Sequence, residues 1–560
     1  MSDDRTTLTS GGLAPARAPE QEPRPTGIPP VLDDAHIGDI RGALGTIRMH
    51  DTGERHGWRS RLMALLAIMG PGLIVMVGDN DAGGVSTYAQ AGQNYGTTLL
   101  WTLLLLIPVL IVNQEMVIRL GAVTGVGHAR LINERFGRFW GWFSVGDLFI
   151  LNFLTIVTEF IGVSLALGYF GVDKYVAVPV AAVALVAITS TGSFRSWERF
   201  MYVFIAANLL VIPLFVLAHP HLGTMVHNTF VPSIEGGANS TSILLIIAIV
   251  GTTVAPWQLF FQQSNIVDKR ITPRWINYER ADTVIGAFVV VIGAGALMAV
   301  PAFAFAGTSL HGQFTDAGAV AEGLRHTLGP AAGAFFAIVL LNASLIGAAA
   351  VTLSTSYAFG DVFGAAHSLH RGLLDAKVFY GTFAAMVLAA AAIVLIPGAP
   401  LGLITTSVQA LAGVLLPSAS VFLLLLCNDR DVLGPWVNKR WLNVLASVIV
   451  AVLVELSLIL VATTMFPSID GAQLFLYMSI GLVAGLLAAG VYARLHPAPA
   501  LEDPFGAMSE EQRRAWTMPP LALLERPRWS PGRRAGMLVL RAYLAVAVVL
   551  LIVKTVQLGH

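Results

Sequence analysis

Apolar runs of about 20 residues, long enough for a helix to cross the hydrocarbon core of a bilayer, recur from residue 60 to the end of this chain with short polar connections between them. They fall near 60–95, 97–120, 142–168, 173–191, 199–218, 241–266, 281–305, 330–358, 378–397, 401–427, 441–465, 472–493 and 536–557. The pattern predicts an all-α polytopic membrane protein of about 12 or 13 transmembrane helices. Two of these spans are interrupted. In the first, the run from Gly70 is broken by GDNDAGG at 78–84 before it turns helical again; in the sixth, the break is GTTVAPWQ at 251–258.

The first break places two carboxylates, Asp79 and Asp81, at membrane depth. An uncompensated carboxylate there costs at least roughly 2.5 to 3.5 kcal/mol. Irregular backbone at that depth is tolerated where it lines a cavity, and unwound carbonyls beside an acidic side chain make an oxygen cage for a cation. The first and sixth spans would each open a unit of five helices. Two discontinuous helices at corresponding positions of two such units point to an inverted-repeat transporter with its substrate at the bilayer midplane. By itself Pro256 is as readily an ordinary helix kink; its pairing with the acidic break favours a site.

Composition agrees with a membrane protein: 55% of the 560 residues are hydrophobic, 12% are charged, and the mean hydropathy is +0.71. The formal net charge of +0 gives no sign of a nucleic-acid partner. Basic residues concentrate in alternate loops, among them 119–138, 193–199, 268–280, 367–377, 428–440 and 494–534. That alternation predicts a cytoplasmic N terminus in the cell's inner (plasma) membrane. Residues 1–58 have no apolar run and are expected to form a disordered cytoplasmic tail. The transporter core is expected over 59–430, with repeats at about 60–218 and 241–427. Two accessory helices at 431–493, a cytoplasmic linker at 494–535 and a final helix at 536–560 would follow. The single cysteine, Cys427, excludes an intramolecular disulfide and reads as a packing residue. No GxxxxGK[ST], HExxH or GxSxG motif is present, which argues against an ATP-driven pump or a hydrolase.

Several landmarks resemble the natural resistance-associated macrophage proteins (NRAMP), divalent-metal transporters with a LeuT-like fold. Gly70, Pro71 and Gly72 lead to Asp81, Ala82, Gly83 and Gly84, then Thr87, Gln90, Ala91 and Gly92, with the spacing of the family's first helix. Gln114, Arg119, Leu120, Gly121, Thr124 and Gly125 resemble its second helix, and Glu159, Ile161 and Gly162 its third. Asp282 and Thr283 resemble the start of the seventh, and Gln409 with Pro417 the tenth. The resemblance implies a LeuT-like inverted repeat of five plus five helices with extra C-terminal helices.

Departures from the family's pattern fall on its metal-binding positions. Gly84 stands where the family has Asn, Ala255 where it has Met, and Trp257 and Gln262 where it has His. Thioether sulfur suits soft transition metals, whereas carboxylate, carbonyl and water suit Mg²⁺, Ca²⁺ and Mn²⁺. A roomier all-oxygen cage favours Mg²⁺, which sheds water reluctantly. The chain is similar in this to the NRAMP-related magnesium transporters. That resemblance implies Mg²⁺, with Mn²⁺ as co-substrate, as a transported ion with no resident cofactor. Asp81 would be the anchor, direct or through water. The carbonyls of Ala82 and Thr252 would supply oxygens, with Gly84 and Ala255 making room, and Gln409 would bond the ion's water shell. Asp79 and Asn80 would be supporting or mouth residues.

Proton coupling, usual in the family, loses its titratable groups here: Ile156 stands at an acidic position, and the two His positions are Trp257 and Gln262. Potential-driven uptake suffices, because a divalent ion moving inward down about 100 mV releases roughly 4.6 kcal/mol. Glu159 reads equally as a carboxylate satisfied by a neighbouring helix or as residual coupling. The alternatives are a proton-coupled Mn²⁺/Fe²⁺ importer, an amine or amino-acid transporter on the same scaffold, and a chain that has abandoned transport. Asp147, Asn152, Asn342 and Ser344 are expected to bond between helices. His219, His221, His227, His311 and His326 are expected to be solvated loop residues. Trp101, Trp140, Trp142 and Tyr202 are expected to be interface anchors. The sequence leaves the oligomeric state open.

Overall fold

The computed structural model describes residues 34–495 except 52, 399, 400 and 467, then 505–524 and scattered positions from 536 to 545. Among the described residues ten helices are long and apolar enough to cross a membrane, and a bent pair brings this to eleven. The predicted span at 173–191 appears as Lys174–Thr189, apolar but only 16 residues long. Most of the predicted final helix at 536–557, and the first 33 residues of the expected tail, lie outside the described residues.

The first membrane segment is three rods: α1 (Trp58–Ile68), α2 (Pro71–Gly78) and α3 (Ala82–Tyr95). Next come α4 (Leu100–Thr124), the short α5 (His128–Phe136), α6 (Arg138–Tyr169), α7 (Lys174–Thr189), and α8 (Phe194–Ala207) continued by α9 (Val211–Leu217). After α10 (Leu222–Phe230) the second broken segment is α11 (Ser240–Thr253) and α12 (Pro256–Asp268). Then α13 (Ile276–Ala304), α14 (Ala317–Leu328), α15 (Pro330–Phe363), α16 (Lys377–Val394) and α17 (Leu401–Cys427) complete the core. Beyond α18 (Arg430–Leu433), α19 (Arg440–Met465) packs on α17. Against α19 lies α20 (Gly471–Leu495), whose apolar window has no buried residue. The α11–α12 segment is the opposite case, 89% buried, so the second break sits at the centre of the bundle.

Both joints of the first segment have identifiable causes. Gly70 adopts φ 149°, open to glycine and strained for other residues, and α1 and α2 meet there at 55°. The N–H groups that start α2 have no partner within the helix. Asp282 Oδ2 on α13 accepts those of Gly70 at 3.0 Å, Gly72 at 2.8 Å and Leu73 at 3.2 Å. The carbonyl of Met69 accepts from Lys269 Nζ at 2.7 Å and Tyr202 Oη at 2.8 Å. Pro256 opens α12 at a position where a missing N–H costs nothing.

Part of the segment expected to be a disordered tail is ordered. Ile40–Gly42 (β1) and Gly45–Ile47 (β2) form an antiparallel hairpin with Ile40 opposite Ile47. Its apolar residues Ile40, Ala43 and Ile47 are buried. Arg195 Nε donates to Gly42 O at 3.0 Å, Glu198 accepts from Ala43 N–H, and Arg270 donates to the carbonyls of Ala35 and Asp39. A short stretch with few apolar residues is held here by charged side chains of the bundle, which local sequence does not reveal.

Three of the four polar groups expected to tie helices together do so, whereas Ser344 Oγ donates to Leu340 O at 2.6 Å within its own helix α15, because a serine hydroxyl is short enough to reach back one turn. Asn152 Nδ2 donates to Thr355 Oγ1 at 2.8 Å, Ser418 Oγ to Asp147 at 3.2 Å, and Asn342 Nδ2 to Asn208 Oδ1 at 2.8 Å. Trp142 is exposed, whereas Trp140, expected at the interface, is buried in edge-to-face contact with Phe422. Its place in the first turn of α6 turns its ring against Phe422 of α17 instead of towards the membrane surface.

Candidate functional site

The two breaks meet. Asp81 is the N-cap of α3, and its Oδ1 accepts the Gly84 N–H at 2.7 Å. A carboxylate suits that place because it satisfies a free N–H and sits at the positive end of the helix dipole. The neighbouring free N–H, that of Ala82, donates to Glu159 Oε2 at 3.1 Å. Asp81 and Glu159, both buried, stand side by side against Gly347. Gly347 on α15 permits this approach: a Cβ there would lie 2.7 Å from Glu159 Oε2 and 2.8 Å from Asp81 Cβ. Two adjacent carboxyls stripped of water require a proton or a cation between them.

From the second break, Thr252 near the end of α11 faces Gly84. A Cβ on Gly84 would lie 2.9 Å from Asp79 O and 3.4 Å from Thr252 Oγ1. That hydroxyl is buried and lacks a partner among the described residues. Next to it Tyr88 Oη and Thr253 Oγ1 are 2.8 Å apart. Gln409 of α17 lies against Gly83, where a Cβ would come within 1.6 Å of Nε2, and that Nε2 is also buried and unpartnered. Ala255, the extended residue before α12, is buried and contributes no polar side-chain atom.

Of the predicted positions, Asp81, Ala82, Gly84, Thr252, Gln409 and Glu159 therefore cluster, and Ala255 sits at the second break. The others turn elsewhere. Asn80 Nδ2 donates to Val290 O at 3.2 Å on α13. Trp257 is fully buried in the core, its carbonyl accepting from Ser354 Oγ at 3.0 Å. Gln262 Nε2 donates to Thr283 Oγ1 at 2.8 Å. Asp79 accepts from Gln258 Nε2, and Gln258 Oε1 accepts from Gln114 Nε2 at 3.2 Å. Gln258 and Gly347 were not singled out from the sequence. A glutamine two residues past a helix-opening proline in an apolar span was the available signal for Gln258; Gly347, in a run of small residues, gave none. Among the described residues no group of three or more His, Cys, Asp and Glu side chains surrounds one point. An ion here would rest on few side chains, backbone and water.

A bundle whose two broken helices bring their interruptions together around buried carboxyls, with extra helices outside, is a multi-pass transporter of the LeuT-like class. Residues 72–463 match the family model described as natural resistance-associated macrophage protein-like, and the chain belongs to that family. Similar chains include the "Divalent metal cation transporter MntH" of Burkholderia ambifaria. It is 26% identical over 417 residues, covering 72% of this chain and 90% of the relative. The protein of the same name from Bacillus subtilis is 27% identical over 464 residues, covering 79% and 98%. Among solved structures, a manganese transporter of Eremococcus coleocola in complex with an aromatic bis-isothiourea compound superposes with a TM-score of 0.60 at 21% identity. The match covers 80% of this chain and 98% of that one and supports the shared fold.

Proposed function

We propose that this protein imports divalent metal cations across the cell's inner (plasma) membrane by alternating access, with Mg²⁺ as its principal substrate and Mn²⁺ as co-substrate. Transport is driven by the membrane potential with little or no proton coupling, and the N terminus is cytoplasmic. The relatives named above are divalent-metal and manganese transporters. The observation that carries the narrower reading is that Gly84 and Ala255 bring no side-chain ligand to the breaks, so that oxygen and amide groups alone stand beside Asp81; the gap at Gly84 is itself closely packed, a Cβ there lying 2.9 Å from Asp79 O. The Asp81 carboxylate anchors the ion. The carbonyls of Ala82 and Thr252 and the Gln409 amide add few direct ligands, which suits an ion that keeps part of its water shell, as Mg²⁺ does. No resident cofactor takes part.

One observation favours a second reading. Glu159 remains beside Asp81, and a carboxyl there could release a proton when the ion arrives, as a proton-coupled Mn²⁺ carrier requires. Against it, Trp257 and Gln262 leave α12 without a titratable group at the positions where a relay would run.

Uptake of Mg²⁺, Mn²⁺ and Ca²⁺ into proteoliposomes under an inside-negative potential, with a pH dye enclosed, tests both. Mg²⁺ uptake without acidification, lost in Asp81→Ala, is the expected result. Mn²⁺ uptake with acidification, and none of Mg²⁺, would overturn the magnesium reading.

A further inference from the structure

We propose a second cation position on the α2 side of Asp81, centred on the Asp79 carboxylate and completed by the side chains of Gln258 and Gln114, which takes up a hydrated divalent ion as it leaves Asp81. The proposal rests on the transport reading above and adds a stage to the ion's route.

The two carboxylates of the first break sit at opposite helix ends. Asp81 is the N-cap of α3 and is stabilised there by the helix. Asp79 is the C-cap of α2, where the last carbonyls have no intrahelical partner and the dipole end is negative. A carboxylate there is opposed by its own helix and welcomes a cation. Asp79 is fully buried, and among the described residues neither it nor Asp81 forms an ion pair with Lys or Arg.

The surroundings of Asp79 leave room for such a partner. Its Oδ1 accepts from Gln258 Nε2, while Oδ2 has no partner among the described residues. Gln258 accepts from Gln114 Nε2 at 3.2 Å, and Gln114 Oε1 is again buried and unpartnered. Native interiors rarely leave several neighbouring polar groups unsatisfied, and each such group calls for an explanation. A file of carboxylate and amide oxygens between α2, α12 and α4 is explained by an ion that arrives with part of its water shell. The donor set is hard and neutral apart from Asp79, which matches Mg²⁺ and Mn²⁺ and offers nothing to soft metals. Two carboxylates flanking the break also match the charge of one divalent ion as it passes from one to the other.

The test uses the full chain, purified. Mn²⁺ alone is the probe, followed by loss of the free-ion signal in electron paramagnetic resonance and displaced by Mg²⁺. Asp81→Asn should retain weak Mn²⁺ binding, which should disappear in Asp79→Asn/Asp81→Asn. Absence of any residual binding in Asp81→Asn would overturn the proposal, whether or not the wild type transports. In proteoliposomes Asp79→Asn, which preserves shape and the bond from Gln258, should bind Mn²⁺ through Asp81 but take up Mg²⁺ about tenfold more slowly. Gln114→Leu, which leaves both carboxylates, should slow uptake in the same direction and guards against a folding defect in the first variant. Wild-type uptake by Asp79→Asn or by Gln114→Leu would show a structural hydrogen-bond network only and overturn the proposal. Failure of the wild type to move any ion would instead count against the transport reading.

Discussion

Lys269 Nζ lies 2.5 Å from Glu198 Oε1, and both side chains are fully buried. The pair is also a junction. Lys269 holds the carbonyl of Met69 at the joint between α1 and α2, and Glu198 accepts the Ala43 N–H of the N-terminal hairpin. Removing one member of a buried pair strands the other, at a cost of about 3–5 kcal/mol. Lys269→Met should therefore lower the thermal midpoint of the detergent-solubilised protein markedly. Lys269→Met/Glu198→Gln should recover part of the loss. Equal midpoints for Lys269→Met and the wild type would show that the pair contributes nothing.

Gly347 is the spacer that lets Glu159 and Asp81 stand side by side. Gly347→Ala inserts a methyl group into a gap of less than 3 Å on both sides, so α15 or the break must move. Mg²⁺ uptake should fall by about tenfold or more, while the purified variant should still elute as a single folded species.

Ala255→Met would bring a thioether to the second break. Soft sulfur favours later transition metals over Mg²⁺, so the ratio of Mn²⁺ to Mg²⁺ affinity should rise by about tenfold, or about 1.4 kcal/mol. Parallel binding titrations with the two ions would read the change. An unchanged ratio would place Ala255 outside the ion's reach.

In the loop after α15, His367 lies 3.2 Å from Asp361. Burial pulls its pKa down, but the bond and charge of Asp361 outweigh burial, and the net shift is upward from 6.5. A histidine whose folded pKa is raised stabilises the fold below the unfolded value and loses that contribution as pH rises through the folded value. Thermal midpoints should accordingly decline from about pH 6 towards pH 8, and His367→Gln should flatten that slope.

The hairpin can be dislodged at one point. A Cβ on Gly42 would lie 2.1 Å from Ala67 O, so Gly42→Ala should push β1 and β2 off the end of α1. Limited proteolysis should then cut between residues 34 and 51 much faster than in the wild type.

What the sequence disclosed follows from what is local. The broken spans were visible because Asp79, Asp81, the glycines and Pro256 interrupt apolar runs within a few residues. The clustering of Asp81, Thr252 and Gln409 followed from the inverted-repeat pattern and from resemblance. Contacts between remote positions had no such signal. Asp282 caps α2 from 210 residues away, the hairpin is held by Arg195, Glu198 and Arg270, and Gln258 became meaningful only once Asp79 was seen to meet it. Asn80, next to Asp81 in sequence, bonds to α13 instead because one step along the chain at the break turns the side chain to a different neighbour.

The eight residues of α2 are hinged at both ends, by Gly70 below and by the Asp79–Asp81 break above. At about 1.5 Å per residue the rod is about 12 Å long. A short rigid link with a pivot at each end behaves like a connecting rod: it carries push and pull along its length but little bending. Asp282 and, through Met69, Lys269 and Tyr202 hold its lower end, so the side chains that fix that joint also set how far Asp79 stands from Asp81 at the middle of the membrane.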